Sequence, residues 1–168
     1  MNNTQQDIQG AIIEDLQAIF EGQTFKTPTG KERALKFFRQ EIPQPKVGHD
    51  DEDEDVDMDL LSVPYCLVKI LDGSFDEWNY TRTISAAVIF CIYDNSPDKK
   101  GASVIMNLID QAFKHYAQTQ NIGNSLIKLP LEWSLQTDLD THPFYFGAFH
   151  LVLEAPGVEF PVSNDSFN

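Results

Sequence analysis

Apolar residues recur along the chain at spacings that change from helical to strand-like and back. Ile8, Ile12, Leu16 and Ile19 or Phe20 fall on one side of a helix over Gln5–Phe20, with Asp7, Glu14 and Asp15 off that stripe and Gly22 as its stop. Pro28 and Gly30 in FKTPTGKER mark a turn. Ala34–Ile42 alternates in strand fashion and reads as an extended arm or edge strand, with a short helix as the alternative, ended by Pro43 and Pro45. Val63–Leu71 is a predicted strand, followed by Asp72-Gly73-Ser74 as a turn signal. Thr81–Tyr93 is a longer strand. Ile84, Ala86, Val88, Phe90 and Ile92 lie on one side of it and a second fairly apolar set on the other, so a central strand covered on both sides is expected.

Asn95-Ser96-Pro97 predicts a helix start, with Ser96 as N-cap and Pro97 in the first helical position. The helix runs to about Gln118 and buries Ile105, Leu108, Ile109, Ala112 and Tyr116. After a turn at Asn121–Asn124, Leu126–Leu135 is a strand in which Pro130 demands an edge or a bulge. Pro143–Leu153 is the last strand, with Gly147 marking a bulge or a close backbone approach. Two hairpins joined by a helix predict a two-layer α+β domain: a mainly antiparallel four-stranded sheet with helices packed on one face. Residues 1–168 form one domain in this reading, with 44–59 an acidic mobile loop and 156–168 a loosely tied C-terminal tail.

Charge sharpens this picture. The chain carries -14, and the run DDEDEDVDMD at Asp50–Asp59 contributes eight carboxylates, which leaves -6 on the remainder. Such a run repels itself and forms no core. An acidic body also repels nucleic-acid phosphates and anionic membranes, so neither is expected as a binding target. The N-terminus MNNTQQDIQG lacks the basic and apolar regions of a signal peptide, and the longest apolar run is about half a membrane span. Cys66 and Cys91 sit in apolar stretches and read as buried free thiols suited to a reducing cytoplasm.

Candidate chemistry is sparse. His49, His115, His142 and His150 have no partner at metal-ligand spacing, and no nucleophile-elbow, phosphate-loop or dinucleotide-binding motif is present. Asp51, Asp53 and Asp55 have the first spacings of a calcium loop. Val56 stands where the bend needs Gly, however, and Ser62 where the bidentate Glu belongs. No catalytic residue, metal site or cofactor is expected. Aromatic residues are abundant, and both alternation faces of Phe144–Phe149 carry them. Either one face meets a partner subunit, or the N-terminal helix covers it. The candidate interaction residues are therefore Phe144, Tyr145 and Phe146, together with Asp50, Asp51, Glu52, Asp53, Glu54 and Asp55.

The succession VPYCLVKILDGSF, IYDNS, VIMNLID, LPLEWSLQ and HPFYFGAFHLVLEAP, covering Leu35 to Pro156, resembles the tail terminator (tail completion) proteins of long-tailed bacteriophages, particularly those of Gram-positive hosts. The resemblance implies a small α+β fold that assembles with itself into a ring, typically a hexamer, at the head-proximal end of the tail. That ring ends tail tube growth and joins tail to head. The implied partners are the tail tube protein and the head-closure (neck) protein, with DNA passing the lumen without specific binding. The implied location is the virion, after assembly in the host bacterial cytoplasm. No cofactor or catalytic residue comes with the family. Another neck component, such as a head-closure or adaptor protein, is the second reading, and a small-molecule-binding or enzymatic α+β domain the third. The acidic loop is expected to face the lumen or a basic partner.

Overall fold

The computed structural model describes residues 4–43, 62–76, 80–137 and 140–157. Its elements are α1 (Gln5–Ile19), β1 (Phe25–Lys26), β2 (Glu32–Arg33), β3 (Lys36–Arg39), β4 (Tyr65–Asp76), β5 (Thr81–Tyr93), α2 (Gly101–Thr119), β6 (Asn121–Ile122), β7 (Ser125–Leu135) and β8 (Phe144–Pro156). One curled sheet runs in the order β3-β4-β5-β8-β7-β6, and β1 and β2 form a separate hairpin. This overturns the expected four-stranded, mainly antiparallel sheet. The protein is α+β, but its large sheet has six strands and is mixed, because β3 pairs parallel to β4 with Lys36 opposite Tyr65. β3 falls within the expected arm or edge strand Ala34–Ile42, whereas β6, two residues long, carries too few alternations to register as a period.

Both helices pack on the same side of the sheet. α1 begins with a capping box, in which the Thr4 hydroxyl accepts from the Asp7 amide at 3.2 Å and the Thr4 amide donates to the Asp7 carboxylate at 3.0 Å. Its stripe of Ile8, Ile12 and Leu16 joins one cluster with Cys66, Val68, Ile84, Val88, Phe90, Ile105, Leu108, Phe149, Leu151 and Leu153. Each such large apolar side chain contributes about 1.5–3 kcal/mol by leaving water. Gln9, buried in α1, donates to the Val68 carbonyl at 2.8 Å and so pins the helix to β4.

Three boundaries move for identifiable reasons. β4 runs straight through Asp72-Gly73-Ser74, where a turn was expected. The register shifts just before it, between Ile70 and Asp72, and a Cβ on Gly73 would lie 2.6 Å from the Thr83 carbonyl oxygen, so the glycine allows the close approach of β5. α2 starts at Gly101, not after Ser96. Lys99 has φ +49°, which cannot continue a right-handed helix, and Asp94 accepts the Ser96 amide at 2.9 Å in a separate turn. β8 extends to Pro156, which pairs with Thr81, so position 156 of the expected tail belongs to the sheet. Residues 158–168 lie outside the described residues.

Pro130 in β7 sits within a register shift between Lys128 and Glu132, as its missing N–H requires. Gly147 marks a close approach, here of the α2 side chain Ile105.

Candidate functional site

Strand alternation and register divide the sheet into two unlike faces. On the helix-bearing face, Ile84, Ala86, Val88, Phe90 and Ile92 of β5 are all buried. On the opposite face the neighbouring positions Ser85, Ala87, Ile89 and Tyr93 are half-buried, while Cys91 between them is buried. The expectation that β5 is covered on both sides is therefore corrected: among the described residues no helix lies over the second face. The alternative that α1 covers it fails as well, since α1 shares the core cluster with α2.

This face, over which no described helix lies, is markedly apolar. Register sets Tyr65 beside Cys91 and Cys91 beside Phe146. Leu67 stands beside Ile89, Ile89 beside Ala148, and Tyr93 beside Phe144. At one end of the sheet, rings meet edge to face: Tyr93 with Phe144 at 5.6 Å between centroids, and Phe38 with Tyr65 at 6.2 Å. The predicted trio Phe144, Tyr145 and Phe146 is thereby split. Phe144 and Phe146 belong to the uncovered face. Tyr145 turns to the other side, against the start of α2, where a Cβ on Gly101 would overlap its ring. Its hydroxyl lies 3.2 Å from His142 Nδ1. The other predicted interaction residues, Asp50, Asp51, Glu52, Asp53, Glu54 and Asp55, lie outside the described residues, as does the expected 44–59 loop.

Polar chemistry on this face centres on Ser85 and His150. Ser85 Oγ lies 2.7 Å from His150 Nε2, and Glu132 stands opposite His150 on β7. A groove of about 430 Å³ runs beside them, lined also by Leu71, Ala87, Ser134 and Ala148. A hydroxyl bonded to an imidazole is half of a nucleophilic pair. Ser85, however, sits in a strand paired on both sides, opposite Asp72 and Val152, where backbone amides are committed to the ladder. The arrangement offers hydrogen bonds to a docking surface, not converging donors for a developing oxyanion.

The thiols are inert by environment. Cys66 and Cys91 are free and buried; burial raises both, and Cys91 is pushed up to about 12. Among the described residues no group of three His, Cys, Asp or Glu side chains could hold a metal, and no helix is long and apolar enough to cross a membrane.

Sequence reasoning missed the exposed apolar residues along β7 and at the β4 bulge. Leu126 is 62%, Leu129 60% and Trp133 53% exposed, and Leu71 is 53% exposed. Trp133 adjoins Met106, Ile109 and Phe113 of α2 around a cavity of about 230 Å³. Pro130 in LPLEW was a signal for Leu129 alone, which lies in the interruption of the ladder between Lys128 and Glu132. No protein-family model matches the chain, and no curated protein matches it.

Proposed function

We propose that this protein is a structural assembly protein that works as a ring of identical copies. Its specific role in this reading is that of a tail terminator, which caps the tail tube of a long-tailed bacteriophage at the head-proximal end and presents a surface to the neck. The observation that carries the assembly reading is the uncovered sheet face. Ile89, Phe146 and Ala148 are half-buried apolar neighbours there, beside the buried Leu67 and Cys91, and interface cores are built from such aromatic and aliphatic bands. The sheet also has two unlike borders: β3 pairs only as far as Val68 of β4, and β6 pairs only with Ser125 and Leu126 of β7. Unlike borders on one curled sheet suit a head-to-tail contact, which closes into a ring when its rotation closes. The resemblance over Leu35 to Pro156 supplies the terminator assignment, and the acidic Asp50–Asp59 run suits a lumen that DNA passes without sticking.

The test is polymerisation of the tail tube protein with and without this chain, read by electron microscopy. Wild type is expected to form a ring with a central hole at tube ends and to stop elongation. Phe146→Ser, which strips a ring from the apolar band, is expected to weaken that activity while the chain remains folded. Unchanged tube length with wild type, and no ring on tubes or in solution, would remove this reading. Rings that bind the neck but leave tube length unchanged would favour a head-closure or adaptor protein.

A further inference from the structure

Each border of the large sheet is covered over only part of its length. β3 lies along the start of β4 as far as Val68, and the Gln40 side chain extends that cover to Ile70: its Oε1 accepts from the Ile70 amide at 2.5 Å and its Nε2 donates to the Ile70 carbonyl at 3.2 Å. β6 lies along the start of β7 at Ser125 and Leu126, and the Ile127 amide donates to the Gln120 carbonyl at 3.0 Å. Past these points, among the described residues, no strand pairs with the outer side of β4 at residues 71–74 or with that of β7 at residues 131–135. An edge strand turns a row of backbone N–H and C=O groups outward, and the ligand that such a row fits is another strand. Both stretches also hold large apolar side chains out in solvent, Leu71 on β4 and Trp133 on β7.

The two free stretches fit each other in direction, length and position. The pairs β4–β5, β5–β8 and β8–β7 are all antiparallel, so β4 and β7 of one chain run in opposite directions. A second copy rotated so as to continue the sheet therefore brings its β4 antiparallel to β7 of the first. The stretches also lie at opposite ends of the sheet. Register carries Ser74 across Thr83 and Glu154 to Leu126, and Leu135 across Gly147 and Phe90 to Cys66. A shift along the strands, of the kind that tilted strands need to close a barrel, lays one free stretch on the other and leaves β3 and β6 clear of the joint. Within one chain β5 and β8 separate the two borders, so the match is available only between copies. We infer that residues 71–74 of one copy pair antiparallel with residues 131–135 of the next, so that the sheet runs unbroken from subunit to subunit and buries Leu71 and Trp133 at the joint. This rests on the ring reading above.

The experiment uses the full-length chain with one cysteine placed on either border, at concentrations where wild type forms rings. Ser74, Glu132 and Ser134 are exposed and share the face opposite the helices, while the native Cys66 and Cys91 are buried and do not compete. Ser74→Cys protein mixed under mild oxidation with Glu132→Cys or with Ser134→Cys protein is expected to give a disulfide-linked dimer in one of the two mixtures, because a bridge forms only between facing positions. The corresponding double variant is expected to give a ladder of products that ends at ring size on a non-reducing gel. Leu71→Lys is expected to weaken self-association by about tenfold or more in sedimentation velocity, since a large apolar side chain no longer leaves water at the joint. More dimer from one variant alone than from the mixtures would mean that like borders meet about a two-fold axis, and would overturn the inference. Wild-type rings with no mixed disulfide, or with Leu71→Lys associating as tightly as wild type, would overturn it while leaving the ring intact. Wild type that never self-associates, even on tube ends, would remove the ring reading and this inference with it.

Discussion

Gly147 offers a sharp test of how α2 and the sheet fit together. A Cβ there would lie 2.3 Å from Ile105 Cγ2, 3.1 Å from Leu135 Cδ2 and 3.3 Å from Ile109 Cδ1. The first contact is below any normal carbon–carbon approach. Its partner is a branch methyl whose rotamer is fixed in a helix, so it cannot swing aside as a chain end could. Gly147→Ala also reduces the freedom of the unfolded chain, which stabilises by roughly 0.4–1 kcal/mol. Overpacking of a filled core costs about 1–3 kcal/mol, so the net expectation is a loss of about 1–2 kcal/mol. Urea unfolding measures it as a lower midpoint at constant slope. Ile105→Leu moves the branch away from Gly147, and in the double variant part of the loss is expected to return, with a coupling of at least about 0.5 kcal/mol. A Gly147→Ala protein as stable as wild type, or effects that simply add, would refute the account of this contact.

Two further expectations concern titration and reactivity. Bonds from the Thr4 amide and hydroxyl hold the Asp7 carboxyl below its ordinary value of 3.8, so its stabilising contribution is complete above that value and is lost as pH falls through the lower folded one. Asp7→Asn is therefore expected to melt earlier than wild type at neutral pH, with the two curves converging in acid; a constant gap down to the lowest pH would argue against the capping role. Cys91, pushed up to about 12 by burial, and the fully buried Cys66 are expected to resist thiol reagents at mildly alkaline pH until the protein is unfolded in urea. Rapid labelling of the native chain would show that the sheet opens locally.

Much of this architecture is local, and local features are readable in a sequence. The 3.6-residue stripes of α1 and α2 and the alternation of β5 follow from which side chains one face must bury, so Ile8, Ile12, Leu16, Ile105, Leu108 and the even positions from Ile84 to Ile92 were core candidates from the start. Thr4 and Asp7 also carry a capping signal in their spacing. Other features depend on distant chain segments meeting. Nothing within Lys36–Arg39 says that it will run parallel beside Tyr65–Val68, and Asp72-Gly73-Ser74 resembles a turn until the Thr83 carbonyl approaches Gly73. The candidate surface has the same origin. Phe144, Tyr145 and Phe146 are alike in sequence, and only the placement of both helices on one side leaves Phe144 and Phe146 on the uncovered face. That division follows from register between distant strands, a long-range choice to which burial, not local propensity, assigns the energy.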